Sequence, residues 1–325
     1  RRPRAVCSGV SSTRAPRRPT TPEELEWDLF RTFEAVARKG SLTRAAEALN
    51  LTQSATSAAI AALEARHGTR LFERIGRGIR LTAAARAFLP EARAVLARAA
   101  AAERVLDDLA SLARGSLSLA ASQTLASWWL PPRMVQFHRR YPGVRLGLIQ
   151  GNSDQIVAEV ESLQADLGFI EGGAPVPHLV DREIGRDELY LVVAADHPWA
   201  VQAPGPAELA QGPWIMRERG SGTRARMDEA MAELGLSPQA ALEFPSNEAV
   251  RAGVLAGGGA TLLSRLVAED DLISGRLVRL DSRPALRAFR LIRHPERHLT
   301  EAARAFLDLV LPDTDDQAQG RDESP

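Results

Sequence analysis

Residues 52–57 read TQSATS, a run of amides and hydroxyls in a stretch, Ala45 to Ala65, that contains no Lys or Arg. Gln53, Ser54, Thr56 and Ser57 carry the groups that can read base edges in a major groove, and a Gln amide is suited to adenine. Such a reader has no charge of its own for phosphate. Charge follows nearby in HGTRLFERIGRGIRLT, where Arg70, Arg74, Arg77 and Arg80 are placed to meet phosphates or a narrow minor groove. A second kind of chemistry lies downstream, in four clusters: Ser122-Gln123-Thr124, Asn152-Ser153, Ser221-Gly222-Thr223-Arg224 and Ser246-Asn247. Hydroxyls and free N–H groups at helix starts hold small anions, and Arg224 adds charge. Any one cluster also reads as an ordinary helix cap. Four together point to a pocket.

Other chemistries find less support. His294 and His298 stand four apart, but Pro295 disfavours a regular helix there and no Cys or carboxylate set accompanies them, so no metal site is expected. The glycines at 257–259 lack the Gly-Lys-Ser/Thr of a phosphate loop and read as a turn. Cys7 is the single cysteine, which excludes an internal disulfide. No nucleophile with a base is visible, and neither enzymatic activity nor a cofactor is expected.

The elements that must position these residues follow from apolar periodicity. From Trp27 onward, Leu29, Phe30, Phe33, Val36 and Ala37 share one helix face, and Gly40 ends the helix. Ser41 caps a second helix with Ala45, Ala46 and Leu49 inward; Thr52, after the break at Asn50-Leu51, caps a third. Small residues at the crossing and an exposed third helix start are the outline of a helix-turn-helix. LFER and IRLT then read as strands joined by the turn at Ile75–Gly78, a wing that completes a DNA-binding domain over 27–82. Residues 83–114 predict a linker helix whose stripe of Phe88, Ala92, Val95, Ala99, Ala102, Leu106 and Leu109 suits a partner helix, with Pro90 set to kink it. Beyond Gly115 short apolar strands alternate with helices, the rhythm of an α/β region with a mostly parallel sheet covered on both faces. This region, 115–311, divides into lobe I (115–185 and 286–311) and lobe II (186–285), with hinges near Ile184–Glu188 and Ser282–Leu286. Ligands in such sheets lie where strand ends meet helix starts.

The chain of 325 residues has no net charge, which over the whole argues against a nucleic-acid binder, but its charge is segregated. Residues 1–26 form a tail rich in Arg, Pro, Ser and Thr, and 312–325 an acidic one; both compositions predict disorder. Arg17-Arg18 is followed by no apolar stretch, and no apolar run approaches the roughly 18 residues of a membrane span. A cytoplasmic location is expected.

The segment WDLFRTFEAVARKGSLTRAAEALNLTQSATSAAIAALEARHGTRLFERIGRGIRLT closely resembles the winged helix-turn-helix of LysR-type transcriptional regulators. The resemblance implies that Gln53, Ser54, Thr56 and Ser57 face the groove and that the wing arginines meet the DNA backbone. It implies a dimerisation helix over 83–114, hence a homodimer or homotetramer on an interrupted inverted repeat, and RNA polymerase as a further partner. Many members carry Pro where Ser54 stands and polar or basic residues where Ala58 and Ala59 stand, so shape and van der Waals contact gain weight here. The rear region resembles the family's two-lobe effector domain, itself similar to periplasmic solute-binding proteins. ASQTLASWWLPP, RRYPGVRL, GNSDQI and ERGSGTR resemble the sulfur-assimilation (CysL-like) branch, with the carbon-fixation branch a near neighbour. The expectation is a transcription regulator controlled by a small, anionic effector held by Ser122, Gln123, Thr124, Asn152, Ser153, Ser221, Thr223, Arg224 and Asn247. The competing expectation, a solute-binding protein for small-anion transport, is disfavoured by the helix-turn-helix and by the lack of a visible export signal.

Overall fold

A computed structural model describes residues 22–75, 78–108, 115–173 and 175–311. The chain divides into two compact units, before and after Leu96.

The first unit contains α1 (Pro22–Lys39), α2 (Leu42–Leu49), α3 (Gln53–His67), β1 (Phe72–Ile75), β2 (Gly78–Leu81) and the first half of α4 (Ala83–Asp108). Its turns follow local chemistry. Gly40 adopts φ +60°, a left-handed conformation that favours glycine. Ser41 then caps α2 by accepting from the Arg44 N–H at 3.4 Å, and Asn50 takes the left-handed closing position at φ 55°. Thr52 Oγ1 accepts from the Ala55 N–H at 3.1 Å and starts α3. Phe33, Val36 and Ala45 are buried together with Ile60 and Leu63, so the small Ala45 lies in the core that α1 and α3 share with α2. The Glu64 carboxylate accepts from the N–H groups of Leu71 (2.7 Å) and Phe72 (3.1 Å), tying the wing to α3. β1 and β2 pair antiparallel, Phe72 opposite Leu81.

Phe88 packs on Phe33, with ring centroids 5.1 Å apart, and Ala92 is buried in the same core. The stripe expected to face a partner helix is therefore spent at its start on its own unit; Val95, by contrast, is exposed. Leu109, its last member, lies outside the described residues. The helix continues through Pro90 as one element.

The second unit is built from β3 (Gly115–Ser122), a π-helical turn (Leu125–Trp129), α5 (Leu130–Arg140), β4 (Val144–Gly151), α6 (Ser153–Glu161), β5 (Leu167–Glu171) and β6 (Val180–Ala194). It goes on through α7 (Pro198–Val201), α8 (Pro206–Gln211), β7 (Trp214–Arg217), α9 (Gly222–Glu233), β8 (Ala240–Phe244) and α10 (Asn247–Leu255). It closes with β9 (Thr261–Ser264), α11 (Arg265–Ile273), β10 (Leu277–Arg279), β11 (Ala285–Arg293) and α12 (Glu301–Val310). The main sheet runs β10-β6-β11-β5-β3-β4, with β9 also paired to β6, and β7-β8 form a separate parallel pair. β3, β4 and β5 are parallel, but β11 is antiparallel to both β5 and β6, and β9 and β10 are antiparallel to β6, so the main sheet is not mostly parallel as expected: the chain returns between the lobes along β6 and β11.

Two lobes result, each with its own core: one around Leu117, Phe137, Phe169 and Phe306, the other around Leu189, Trp214, Met216 and Met227. The expected hinges at Ile184–Glu188 and Ser282–Leu286 fall at β6 and the start of β11, which are hydrogen-bonded to one another there, Leu286 opposite Glu188 and Arg287 opposite Asp187. The crossings between lobes are thus a paired ribbon, with a register shift between Phe289 and Arg290. A bulge adds local twist and bend to such a ribbon. No helix of the described residues is long and apolar enough to cross a membrane.

Candidate DNA-reading surface and effector cleft

In the first unit, the cap at Thr52 fixes where the first turn of α3 begins and which side chains leave it outward. Gln53, Ser54, Ser57 and Ala58 are exposed. Thr56 is not on that surface. It is fully buried, and its hydroxyl donates to the Thr52 carbonyl at 3.1 Å. Ser54 Oγ lies 3.0 Å from Thr52 Oγ1, within the cap itself, whereas Gln53 and Ser57 are exposed and make no side-chain hydrogen bond among the described residues. α3 carries no acid in its first turn, so its free N–H groups and positive dipole end are not neutralised locally. Arg70 and Arg80 are exposed, and Arg80 pairs with Glu73 at 3.3 Å across the wing. An exposed pair of that kind is weak and readily exchanged for phosphate. Arg74 lies on β1 opposite Ile79; Arg77 lies outside the described residues.

In the second unit, the turns that follow four strands, β3, β4, β7 and β8, bring the polar clusters to one cleft. Their centre is a cation. Arg287, on β11, is fully buried; its Nη1 donates to Thr223 Oγ1 (2.8 Å), its Nη2 to Thr124 Oγ1 (3.1 Å), and its Nε and Nη2 to Asp187 (2.9 and 2.6 Å). Nη1 also donates to the Glu171 carboxylate. Asn247 donates to Thr124 Oγ1 at 3.0 Å, accepts from Arg217 at 2.5 Å, and its backbone N–H donates to Gln123 Oε1 at 2.9 Å. Gln123 in turn donates to the Pro245 carbonyl at 2.8 Å. Asn152 closes a capping box with Gln155 and reaches across to Glu218 at 3.4 Å.

The polar turns differ in how much they are spent on capping. Asn152 and Ser246 cap α6 and α10 through their side chains. Ser221 makes no cap bond although it is only 4% exposed, and the buried Ser122 hydroxyl has no hydrogen-bond partner. Ser153 Oγ donates to the Glu171 carbonyl at 3.3 Å. Arg224 is engaged elsewhere, donating to Asp228 (2.9 Å), Glu243 (3.3 Å) and the Arg217 carbonyl (3.1 Å).

Sequence reading missed Arg287, Glu171, Asp187 and Arg217, which sit in strands and not in turns. A signal was present: charges inside otherwise apolar strand runs such as LGFIE and ALRAFRLIR, since buried charge is costly unless paired. Burial raises the Asp187 carboxyl above its ordinary value even though the Arg287 charge opposes it. At Glu218 burial also pushes upward, but the hydrogen bond and charge of Arg217, with Asn152, prevail and lower it. The π-helical turn sets adjacent tryptophans on different cores: Trp129 packs on Phe169 and Phe289 with Arg133 stacked 3.6 Å above it, and Trp128 packs against the cluster around Tyr190 and Val192. Beside the network a cavity of about 340 Å³ is lined by Ser153, Glu171, Gly172, Arg219, Ser221 and Gly222, among others.

Residues 27–86 match the family described as bacterial regulatory helix-turn-helix protein, lysR family, and residues 110–314 match the LysR substrate binding domain. The chain belongs to the LysR family of transcriptional regulators. It is 34% identical to the regulator YeiE of Escherichia coli K12 over 282 residues, covering 86% of this chain and 95% of that one. It is 36% identical to the regulator CbbR of Rhodospirillum rubrum over 277 residues, covering 85% and 92%. The fold matches the crystal structure of the LysR family regulator CbnR with a TM-score of 0.65 at 24% identity, over 87% of this chain and 97% of that one. CbnR has also been solved with its target DNA. This LysR-type regulator therefore joins a DNA-binding domain to a two-lobe effector-binding domain, and the solute-transport reading is not favoured.

Proposed function

We propose that this regulator, acting in the cytoplasm, reads an interrupted inverted repeat in double-stranded DNA as a homodimer or homotetramer and acts on RNA polymerase from there. Gln53, Ser54 and Ser57 read base edges, with Thr56 holding the helix start behind them, while Arg70, Arg74, Arg77 and Arg80 hold phosphates. Residues 83–114 supply the dimerisation helix, although the packing of Phe88 and Ala92 on their own unit shortens the seam to the part from Val95 onward. A small oxyanion of sulfur metabolism is the effector, bound between the lobes among Ser122, Gln123, Thr124, Asn152, Ser153, Ser221, Thr223, Arg224 and Asn247. Similarity to a RuBisCO operon transcriptional regulator of Allochromatium vinosum, 37% identical to the chain, makes a metabolite of carbon fixation the second reading.

One observation carries the effector site: residues from all four polar turns meet in a single hydrogen-bonded network that spans the lobes, with the Ser122 hydroxyl left over. An oxyanion that exchanges into it changes the lobes' mutual bonding, which is how a ligand biases a two-state element. Calorimetry with sulfite, sulfate and phosphorylated sugars on the wild type and on Thr124→Val tests it. Anion binding that weakens in the variant supports the site; equal binding, or binding of neutral apolar compounds only, refutes it. Operator DNA must alter effector affinity by the same factor that effector alters operator affinity.

A further inference from the structure

The start of the helical run after β3 presents two backbone N–H groups, those of Thr124 and Leu125, and both are already occupied. Glu171 Oε1 accepts from them at 2.8 and 3.3 Å, while Oε2 accepts from Arg287. A carboxylate of the chain itself thus fills the place where a helix start and a guanidinium would hold an oxyanion. Arg287 is moreover already faced by two carboxylates, Glu171 and Asp187. A third anion added to this buried group would carry an uncompensated charge out of water, at high cost. Replacement of one carboxylate by another anion does not.

We propose that Glu171 is a resident plug of the effector site, and that a small oxyanion binds by displacing its carboxylate from the Thr124 and Leu125 N–H groups and Arg287. This rests on the reading of the cleft as an anion site. Two features make the exchange feasible. The cavity of about 340 Å³ lies against Glu171; its wall carries Ser153, Ser221, Asp154, the Arg224–Asp228 pair and Arg219, the last a countercharge for the displaced carboxylate. Ser221, 4% exposed and without a hydrogen bond to its own helix, stands there as a donor. The buried Ser122 hydroxyl, two residues before Thr124 in the chain and unpartnered in the plugged state, is a further donor. The site then selects compact anions with at least two adjacent oxygens, the geometry that Glu171 itself presents. The plug also ties effector entry to rearrangement, because the leaving carboxylate releases Arg287, which contacts Thr223 on α9 and Thr124 beside the π-helical turn.

Titration calorimetry of the full chain with sodium sulfate and with sodium acetate tests this, comparing wild type, Glu171→Gln and the charge-matched surface variant Glu183→Gln. Glu171→Gln keeps the shape and removes the competing charge, so it should bind at least one of the two anions about tenfold more tightly, a change of about 1.4 kcal/mol. Glu183→Gln should match wild type. Glu171→Asp, which retains the charge but withdraws it from the N–H pair, should also gain affinity and serves if the Gln variant does not fold. Wild-type binding that is unchanged or weaker in Glu171→Gln and Glu171→Asp overturns the plug while leaving the anion site standing. Absence of binding of either anion to any of the proteins overturns both.

Discussion

The two functional regions hold similar side chains in opposite states. On the first turn of α3, Gln53 and Ser57 are exposed with their hydrogen-bonding capacity unspent; in the cleft, Thr124, Thr223 and Asn247 are buried and bonded to one another and to Arg287. A surface that reads DNA can wait in water, because water satisfies its amides and hydroxyls until bases replace it. A cleft closed away from water cannot leave polar groups unpaired without losing the full desolvation cost of each. Most of its binding groups therefore have internal partners, the Ser122 hydroxyl being the exception, and ligand binding there is largely an exchange of partners.

The largest test of that contrast removes the cleft's cation. Arg287→Met leaves Glu171 and Asp187 buried with no guanidinium, and loss of one partner from a buried ion network costs about 3–5 kcal/mol. Four of the five tryptophans, Trp128, Trp129, Trp199 and Trp214, lie in the second unit, so urea unfolding followed by their fluorescence reads that unit. A loss below about 1 kcal/mol would mean that Arg287 does not hold the two buried carboxylates in place.

On the reader the matching substitution leaves stability alone. Gln53→Ala should relax preference at one base pair of each half-site by about 1–3 kcal/mol, and Arg80→Ala should weaken all sequences alike and lower the salt slope by about one. Fluorescence anisotropy on operator and scrambled duplexes at several salt concentrations separates the two. Equal loss on both duplexes for Gln53→Ala would remove it from base reading.

What the sequence made legible follows the same division. The helix-turn-helix announced itself because its determinants are local: Gly40, Ser41, Asn50 and Thr52 each act within a few residues of themselves. Thr56 was misplaced on the reading surface, since helical spacing alone does not say that its hydroxyl turns back to Thr52. In the rear region the strand and helix order was legible, and so were the capping turns. The centre of the cleft was not, because Arg287, Glu171 and Asp187 are brought together across as many as 116 residues of sequence. A strand charge becomes informative only once its partner strand is known, and pairing of β6 with β11 is a tertiary fact.

A smaller effect is expected at the cap that orients the reader. Thr52→Ala removes the acceptor for the Ala55 N–H and should cost about 1 kcal/mol. Operator affinity should fall with it, while the urea midpoint of the second unit stays fixed. An unchanged circular-dichroism melt of the first unit would show that the cap does not hold α3.

The last effect is a pH slope, set at Asp187 by influences of opposite sign. Burial raises its carboxyl above the ordinary value of 3.8, while Arg287 and Ser264 pull it down. With the folded-state value raised, both states are protonated below 3.8 and Asp187 adds no pH dependence. As pH climbs from there, the unfolded chain releases its proton first, so the folded form loses relative stability until its own raised value is passed, after which the loss is constant. Glu218, whose value is lowered, works in the opposite sense: its stabilising contribution grows as pH rises toward its ordinary value of 4.5 and is fully present above it. The wild-type profile is therefore a sum of terms of both signs, and only a difference isolates Asp187. Asp187→Asn removes that group's titration, so the stability of wild type minus variant, from urea midpoints at closely spaced pH, should fall as pH rises from below 3.8 and then level off. A difference that rises with pH would mean that Arg287 dominates burial at this carboxylate, and the cleft would then be held together by its charges more than it is strained by enclosing them.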